Sequence, residues 1–388
     1  MKRVEFYRHS LTESDIHAVN ETLRSVFLTT GPRCAAFEQA LADYLDVAHV
    51  VALSSCTSAL YLMLRALNIG PGDEVITTPM TFIATANAIL HAGATPVFVD
   101  VEKETGNIDV RLVERAMTAR TRAVIPVHLY GLMADIESLR KLCEGRGLAL
   151  IEDAAHATEA VRDGVRPGQR SRGACFSFYA TKNLTCGEGG AVATNDPGLA
   201  DSLKRLRSHG MSKEAAGRYT GRYQHWDMLT LGYKANLSDI QAALLVGQIS
   251  RLDAQLTRRE AISRRYEAAF SGLPGVSFPI VSDEATSARH LFTIWVPPNR
   301  RDEWLDAMQE KGVGVAVNYR PVHLLTYYRQ RFGFRRGAFP NAEAIGDSTI
   351  TLPLYPTMAD EDIDYVIATV REIALTHTLE HMIAATEA

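Results

Sequence analysis

Residues 49–101 read HVVALSSCTSALYLMLRALNIGPGDEVITTPMTFIATANAILHAGATPVFVDV, and this stretch decides the fold. Short apolar runs at 49–53, 74–77 and 95–99 alternate with amphipathic helical stretches at 58–67 and 82–91. Such runs, separated by helix-length crossovers, predict βαβ units, because parallel strands cannot be joined by a tight turn. The alternation continues outward, with strands expected at 123–127, 148–152 and 190–194 and helices at 110–118 and 135–144. The expected body is α/β, with a mostly parallel sheet between two helical layers. Positions 75–99 hold 25 residues without Asp, Glu, Lys or Arg, long enough to span a bilayer. Pro79, Asn87, His91, Gly93 and Pro96 interrupt that run, so it reads as strand, helix and strand in a soluble protein.

Further along, a long helical pattern at about 238–270 is stopped by SGLPG at 271–275. Beyond it, strands near 276–278, 291–296 and 313–319, with helices near 302–311 and 360–374, predict a smaller α+β domain. The expected division is a large domain at 1–250 and a small one at 251–388. The 388 residues are 46% apolar and 22% charged, which excludes disordered, collagen-like and coiled-coil chains. A net charge of −4, from 41 basic and 45 acidic residues, offers no general field for nucleic acid or an anionic membrane. Five cysteines without a CxxC pair argue against a disulfide framework or a zinc site and suggest a reducing compartment. The opening MKRVEFYRHS lacks the apolar core of a signal peptide, and a cytoplasmic location is expected.

Three segments could carry chemistry. In FSFYATKNLTCGEGGAVATN (176–195), Lys182 precedes a glycine-rich turn and follows an apolar, aromatic stretch. The plain reading is a solvated loop lysine, but such surroundings lower a lysine's pKa, as a Schiff-base lysine requires. In LALIEDAAH (148–156), Asp153 closes an apolar strand at the edge where α/β sheets bind ligands. A helix cap explains it equally; with Lys182 downstream, it also becomes a candidate partner for a protonated ring nitrogen. In SSCTSALYLMLRAL (54–67), hydroxyl residues open a helix whose N-terminus would welcome a phosphate, although N-capping explains the same letters. GxGxxG is absent from that turn and GxxxxGK[ST] from the whole chain, which disfavours a nicotinamide oxidoreductase. Phe82 could stack on a flat cofactor or pack in the core. Positions 204–225 hold six basic residues, Arg218 and Arg222 among them, against the single acidic Glu214; this is a solvated face or a site for a phosphorylated substrate.

These segments belong to an ordered series from about residue 30 to residue 356: TTGPRCAAFE, SSCTSAL, GPGDEVITTPMTFIATANAILHAGATPVFVDV, PVHLYG, IEDAAHA, FSFYATKNLTCGEGG, GYKANLSDIQAAL, NYRPVHLLTYY and LPLYP. In that series the chain resembles the PLP-dependent sugar aminotransferases of the DegT/StrS type. The resemblance implies the fold type I aminotransferase architecture and pyridoxal 5'-phosphate held by Lys182 as a Schiff base. Asp153 would pair with the pyridine nitrogen, His156 would sit near the ring hydroxyl, and Phe82 would stack on the ring. Thr57, Ser58 and Ser177 would bind the phosphate, and Asn236 would reach it from the neighbouring subunit of a homodimer with shared active sites. Relatives that act as dehydratases carry His where Lys182 stands, so the resemblance favours transamination. Two positions depart from the pattern: Cys56 replaces a common Gly, and Ala235 a common aromatic residue.

The implied reaction moves an amino group from L-glutamate to a keto-sugar on a nucleotide diphosphate, in amino-sugar biosynthesis for a surface polysaccharide or secondary metabolite. The GYKxNxxD form of 232–239 is similar to relatives acting at C4 rather than C3. Arg218 and Arg222 would meet the diphosphate, and Tyr319 and His323 the sugar, unless the latter two only pack the small domain. A cyclitol ketone as acceptor, or a non-catalytic sensor binding PLP or a sugar nucleotide, are the competing expectations.

Overall fold

The computed structural model describes residues 2–212 and 225–386. Its strands are β1 (His49–Leu53), β2 (Glu74–Thr77), β3 (Thr95–Phe98), β4 (Thr121–Ile125), β5 (Ala149–Asp153), β6 (Val161–Arg162), β7 (Gly173–Ser177), β8 (Gly190–Thr194), β9 (Ala285–Thr286), β10 (Phe292–Trp295) and β11 (Thr349–Leu352). Seven of them form one sheet in the order β1-β8-β7-β5-β4-β2-β3. β8 runs against both its neighbours, and the other pairings are parallel. Six strands therefore point one way, and their C-terminal ends share one edge.

Both faces of this sheet are covered. Successive residues alternate between two cores, with Val50, Ala52, Ile76 and Val124 in one and Val51, Leu53, Val75 and Ala123 in the other. Burial on both sides explains why these strands read as continuous apolar runs rather than as alternating ones. The charge-free run at 75–99 is β2, the helix Ile83–His91 and β3. Among the described residues no helix is long and apolar enough to cross a membrane.

The structure corrects several expectations. The helical pattern at 238–270 is two helices, Asp239–Ile249 and Leu252–Phe270. At the junction Arg251 bonds the Gly247 carbonyl at 2.9 Å and Asp15 at 2.6 Å. No strand forms at 276–278 or 313–319, where Ser277, Val313 and Ala316 make isolated bridges. The N-terminal segment docks there instead: Val313 bridges Val4, and a Cβ on Gly314 would meet the Phe6 backbone. A further core joins Tyr266, Phe270, Trp304 and Ile350 around the β10–β11 pair and also takes in Val4. We propose that a second structural unit begins at residue 251, with this core as its centre.

Candidate active site

The C-terminal edge of the parallel strands opens on a cavity of about 510 Å³. That size and position match the crevice where open α/β sheets take small ligands. Its lining includes Thr57 after β1, Phe82 and Thr85 after β2, Asp153 at the end of β5, Ser177 at the end of β7, and Lys182.

Lys182 lies on the connection between antiparallel β7 and β8, whose register pairs Ser177 with Gly190. Two ties fix this loop. Gln248 accepts from the Thr185 amide at 3.2 Å and donates to its carbonyl at 2.7 Å. Asn183 donates to Glu159 and to the Ala288 carbonyl, both at 3.0 Å. Enclosure pushes the Lys182 amine down to about 8, against the opposing pull of Cys56 and Asp153.

Asp153 is 5% exposed. It accepts from the Thr85 hydroxyl at 2.7 Å and from the Ala155 amide at 3.2 Å. Burial raises its pKa, and those two donors together with the nearby Lys182 pull the other way. The adjacent Glu152 faces the opposite side, as strand alternation requires. There it accepts from the Gly168 amide at 2.8 Å and the Ser171 hydroxyl at 2.6 Å, and lies 2.8 Å from His128. His156 is buried against Tyr319, whose hydroxyl is 3.0 Å from Nε2, while its Nδ1 has no partner among the described residues. Burial, helped by Lys182, holds this imidazole well below its usual range and therefore neutral near pH 7.

The helix Cys56–Ala66 starts at the cavity wall, with Ser55 accepting from the Ser58 amide at 3.0 Å. The amides of Cys56 and Thr57, one turn too early for an intrahelical acceptor, remain as donors. Gly190 permits this arrangement, since a Cβ there would overlap the Ser55–Cys56 peptide. An anion-ready helix start, two hydroxyls, a lysine and a buried carboxylate in one cavity form the donor set that pyridoxal phosphate needs. The residues present fit that group.

The family model of the DegT/DnrJ/EryC1/StrS aminotransferases matches residues 9–371. The chain belongs to this family. It is similar to the spore coat polysaccharide biosynthesis protein SpsC of Bacillus subtilis, 43% identical over 381 residues, with 96% of this chain and 98% of SpsC covered. The structure of S. venezuelae DesV superposes with a TM-score of 0.87 at 38% identity, covering 93% of this chain and 94% of DesV. A Streptococcus pneumoniae protein assigned as a sugar aminotransferase, in its PLP form, gives 0.90 at 32% identity over 97% of this chain and 99% of its own. The chain is thus a sugar aminotransferase of the PLP-dependent, fold type I class.

Within this aminotransferase, Thr57, Phe82, Asp153, His156, Ser177, Lys182 and Tyr319 all line the one cavity. Ser58 does not; its hydroxyl lies 3.2 Å from that of Ser54 and 3.0 Å from that of Ser55, within the helix cap. His323 is a correction to the sugar-binding expectation. It is 0% exposed, 3.0 Å from Glu343, and packed edge-on to Phe339, so it is a core histidine. Asn236 lies outside the cavity lining, where its amide donates to Thr30 at 2.8 Å and Thr29 at 3.2 Å. Arg218 and Arg222 lie outside the described residues. Cys56, at the first helical position, is buried in the core, and burial raises its thiol well above the usual range. Thr85 and His290 were not expected at this site. Thr85 carried a weak signal, lying one helical turn from Thr81 and sharing its face; His290 carried none, being 108 residues from the lysine it touches.

Proposed function

We propose that this aminotransferase transfers an amino group from L-glutamate to the C4 keto group of a nucleotide-diphosphate-linked sugar. The observation that carries the reading is one cavity holding a lysine with a lowered pKa, a buried carboxylate and a phosphate-ready helix start. Lys182 binds the cofactor covalently, Asp153 pairs with its ring nitrogen, and Phe82 offers a flat apolar face. The Cys56 and Thr57 amides, the Thr57 hydroxyl and Ser177 hold the phosphate. Pyridoxal phosphate supplies the electron sink that lets the donor's α-proton leave.

The protein's own groups do the rest. While its amine is free of the cofactor, a lysine that titrates near 8 is about one-tenth neutral at pH 7, so a fraction of it can take that proton. Lys182 accepts it and returns it on the other side of the exchange. A positively charged ring nitrogen would favour ionised Asp153 and offset the cost of burying its charge. His156, with the Tyr319 hydroxyl 3.0 Å from its Nε2 and with Nδ1 unpartnered among the described residues, would be the neighbour of the ring hydroxyl.

The site is shared, in this reading, with a second copy of the chain that brings its Asn236 to the phosphate. Both hydrogens of that amide have acceptors within their own chain, so the contact exchanges one hydrogen bond for another. Arg218 and Arg222 are assigned to the sugar nucleotide's diphosphate on charge alone. Support for the C4 position is the GYKxNxxD form of residues 232–239. The test is a matrix of initial rates with L-glutamate against nucleotide-linked 4-keto-sugars. Parallel double-reciprocal lines support two separate half-reactions on one site; intersecting lines contradict them.

A further inference from the structure

Behind Lys182 lies a small second cavity, lined among others by Asn183, His290, Arg259 and Tyr7. Lys182 therefore stands between two spaces, and on the rear side its Nζ is 3.5 Å from Nε2 of His290. The chemistry of that contact can be worked out from the neighbours inward. Arg259 and Glu159 form a fully buried ion pair. Glu159 and the Ala288 carbonyl can only accept, and Asn183 Nδ2 reaches both at 3.0 Å. That fixes the amide orientation, so Oδ1 is the atom 3.1 Å from His290 Nδ1. An amide oxygen cannot donate, so His290 Nδ1 carries the hydrogen. Burial, with lesser contributions from the Lys182 and Arg259 charges and from the neighbouring His156 ring, holds the ring neutral. Nε2 is then a bare lone pair turned to Lys182, and the lysine must be the donor.

We propose that His290 is a positioning residue for Lys182, an acceptor of fixed tautomer that receives the lysine nitrogen each time it is released from the cofactor. The Arg259–Glu159 pair and Asn183 form the chain that locks the tautomer. The inference rests on Lys182 being the cofactor-bearing residue. An ammonium group that donates to a neutral ring makes a stronger hydrogen bond than a neutral amine does. Hence the contact supports the protonated lysine at the moment after it takes the donor's proton. Other groups facing the amine are Asp153 and Cys56, which favour its charge, and neutral His156 on the cavity side.

The experiment measures covalent capture of pyridoxal phosphate by the cofactor-free protein, as visible absorbance against pH. The wild-type midpoint is expected near 8. His290→Leu removes the acceptor and lowers the midpoint by about 1 unit, a tenfold loss of proton affinity. His290→Gln, whose side-chain oxygen can accept in its place, returns it to within about 0.3 unit. Asn183→Ala keeps the ring but unlocks the tautomer, and shifts the midpoint the same way by a smaller amount, which keeps the test alive if His290→Leu does not fold. In the glutamate half-reaction, His290→Leu lowers the rate about tenfold and leaves KM unchanged. Unshifted midpoints in folded His290→Leu and Asn183→Ala proteins overturn this inference alone. A folded wild-type protein that captures no cofactor at any pH overturns the Lys182 assignment along with it.

Discussion

The floor and the rim of the cavity are built differently. The floor residues Asp153 and His156, and His290 behind Lys182, are buried, and each is held by a partner from a distant part of the chain: Thr85, Tyr319 and Asn183. On the rim, Phe82 is 55% exposed and Tyr179 47%, and Phe82 touches Tyr319 in a tilted contact at 6.0 Å. Desolvation explains the contrast. A buried titratable group has its proton affinity reset by burial and needs partners for its polar atoms, whereas an exposed aromatic offers contact area. In the proposed reading, proton transfer belongs to the enclosed Lys182 and its buried neighbours, and the rim tunes only affinity.

The sharpest way to break this comparison is Lys182→Ala, which should lower amino transfer by roughly 10⁴-fold while the protein still folds. A drop below tenfold, measured with either half-reaction, would move the chemistry elsewhere. Asp153→Asn keeps the shape but removes the negative charge that is proposed to pair with the ring nitrogen. It should cost about 10²- to 10³-fold in kcat, with little change in the melting temperature. Thr85→Val deletes one hydroxyl donor to Asp153 and should cost about ten- to a hundredfold, because hydrogen bonds to charged groups are worth about 1.5–3 kcal/mol. Phe82→Ala belongs to the rim. It should weaken cofactor retention about fivefold, read by equilibrium dialysis, and leave the single-turnover rate unchanged. A Phe82 variant that slows the chemistry as much as the Thr85 variant would erase the distinction.

The same contrast explains what could be read from the sequence. β1, β2 and β8 coincide with the runs expected at 49–53, 74–77 and 190–194, because strands buried on both faces advertise themselves as apolar runs. Asp153 and Lys182 were legible because each sits beside such a run, at a sheet edge or just past one. β7 (GACFS) escaped notice because its residues were absorbed into the reading of the lysine loop that follows. The helices Glu13–Leu23 and Pro32–Leu45 were not assigned, and the break after Ile249 was missed; Arg251, at that break, bonds to Asp15, far away in sequence. His323 misled for a related reason: a histidine amid NYRPVHLL reads alike whether it faces a sugar or Glu343. Only the fold shows the carboxylate waiting for it in the core. The His290 contact could not be read at all, since it exists only once the chain from Arg259 through Asn183 is assembled.

The most direct test of the account is to load the purified protein with pyridoxal phosphate, reduce it with borohydride, and map the modified peptide by mass spectrometry. The account predicts one modification, on Lys182 within the peptide spanning 173–194, and its absence after prior addition of L-glutamate. A modification on another lysine, or one that L-glutamate leaves unchanged, would contradict it.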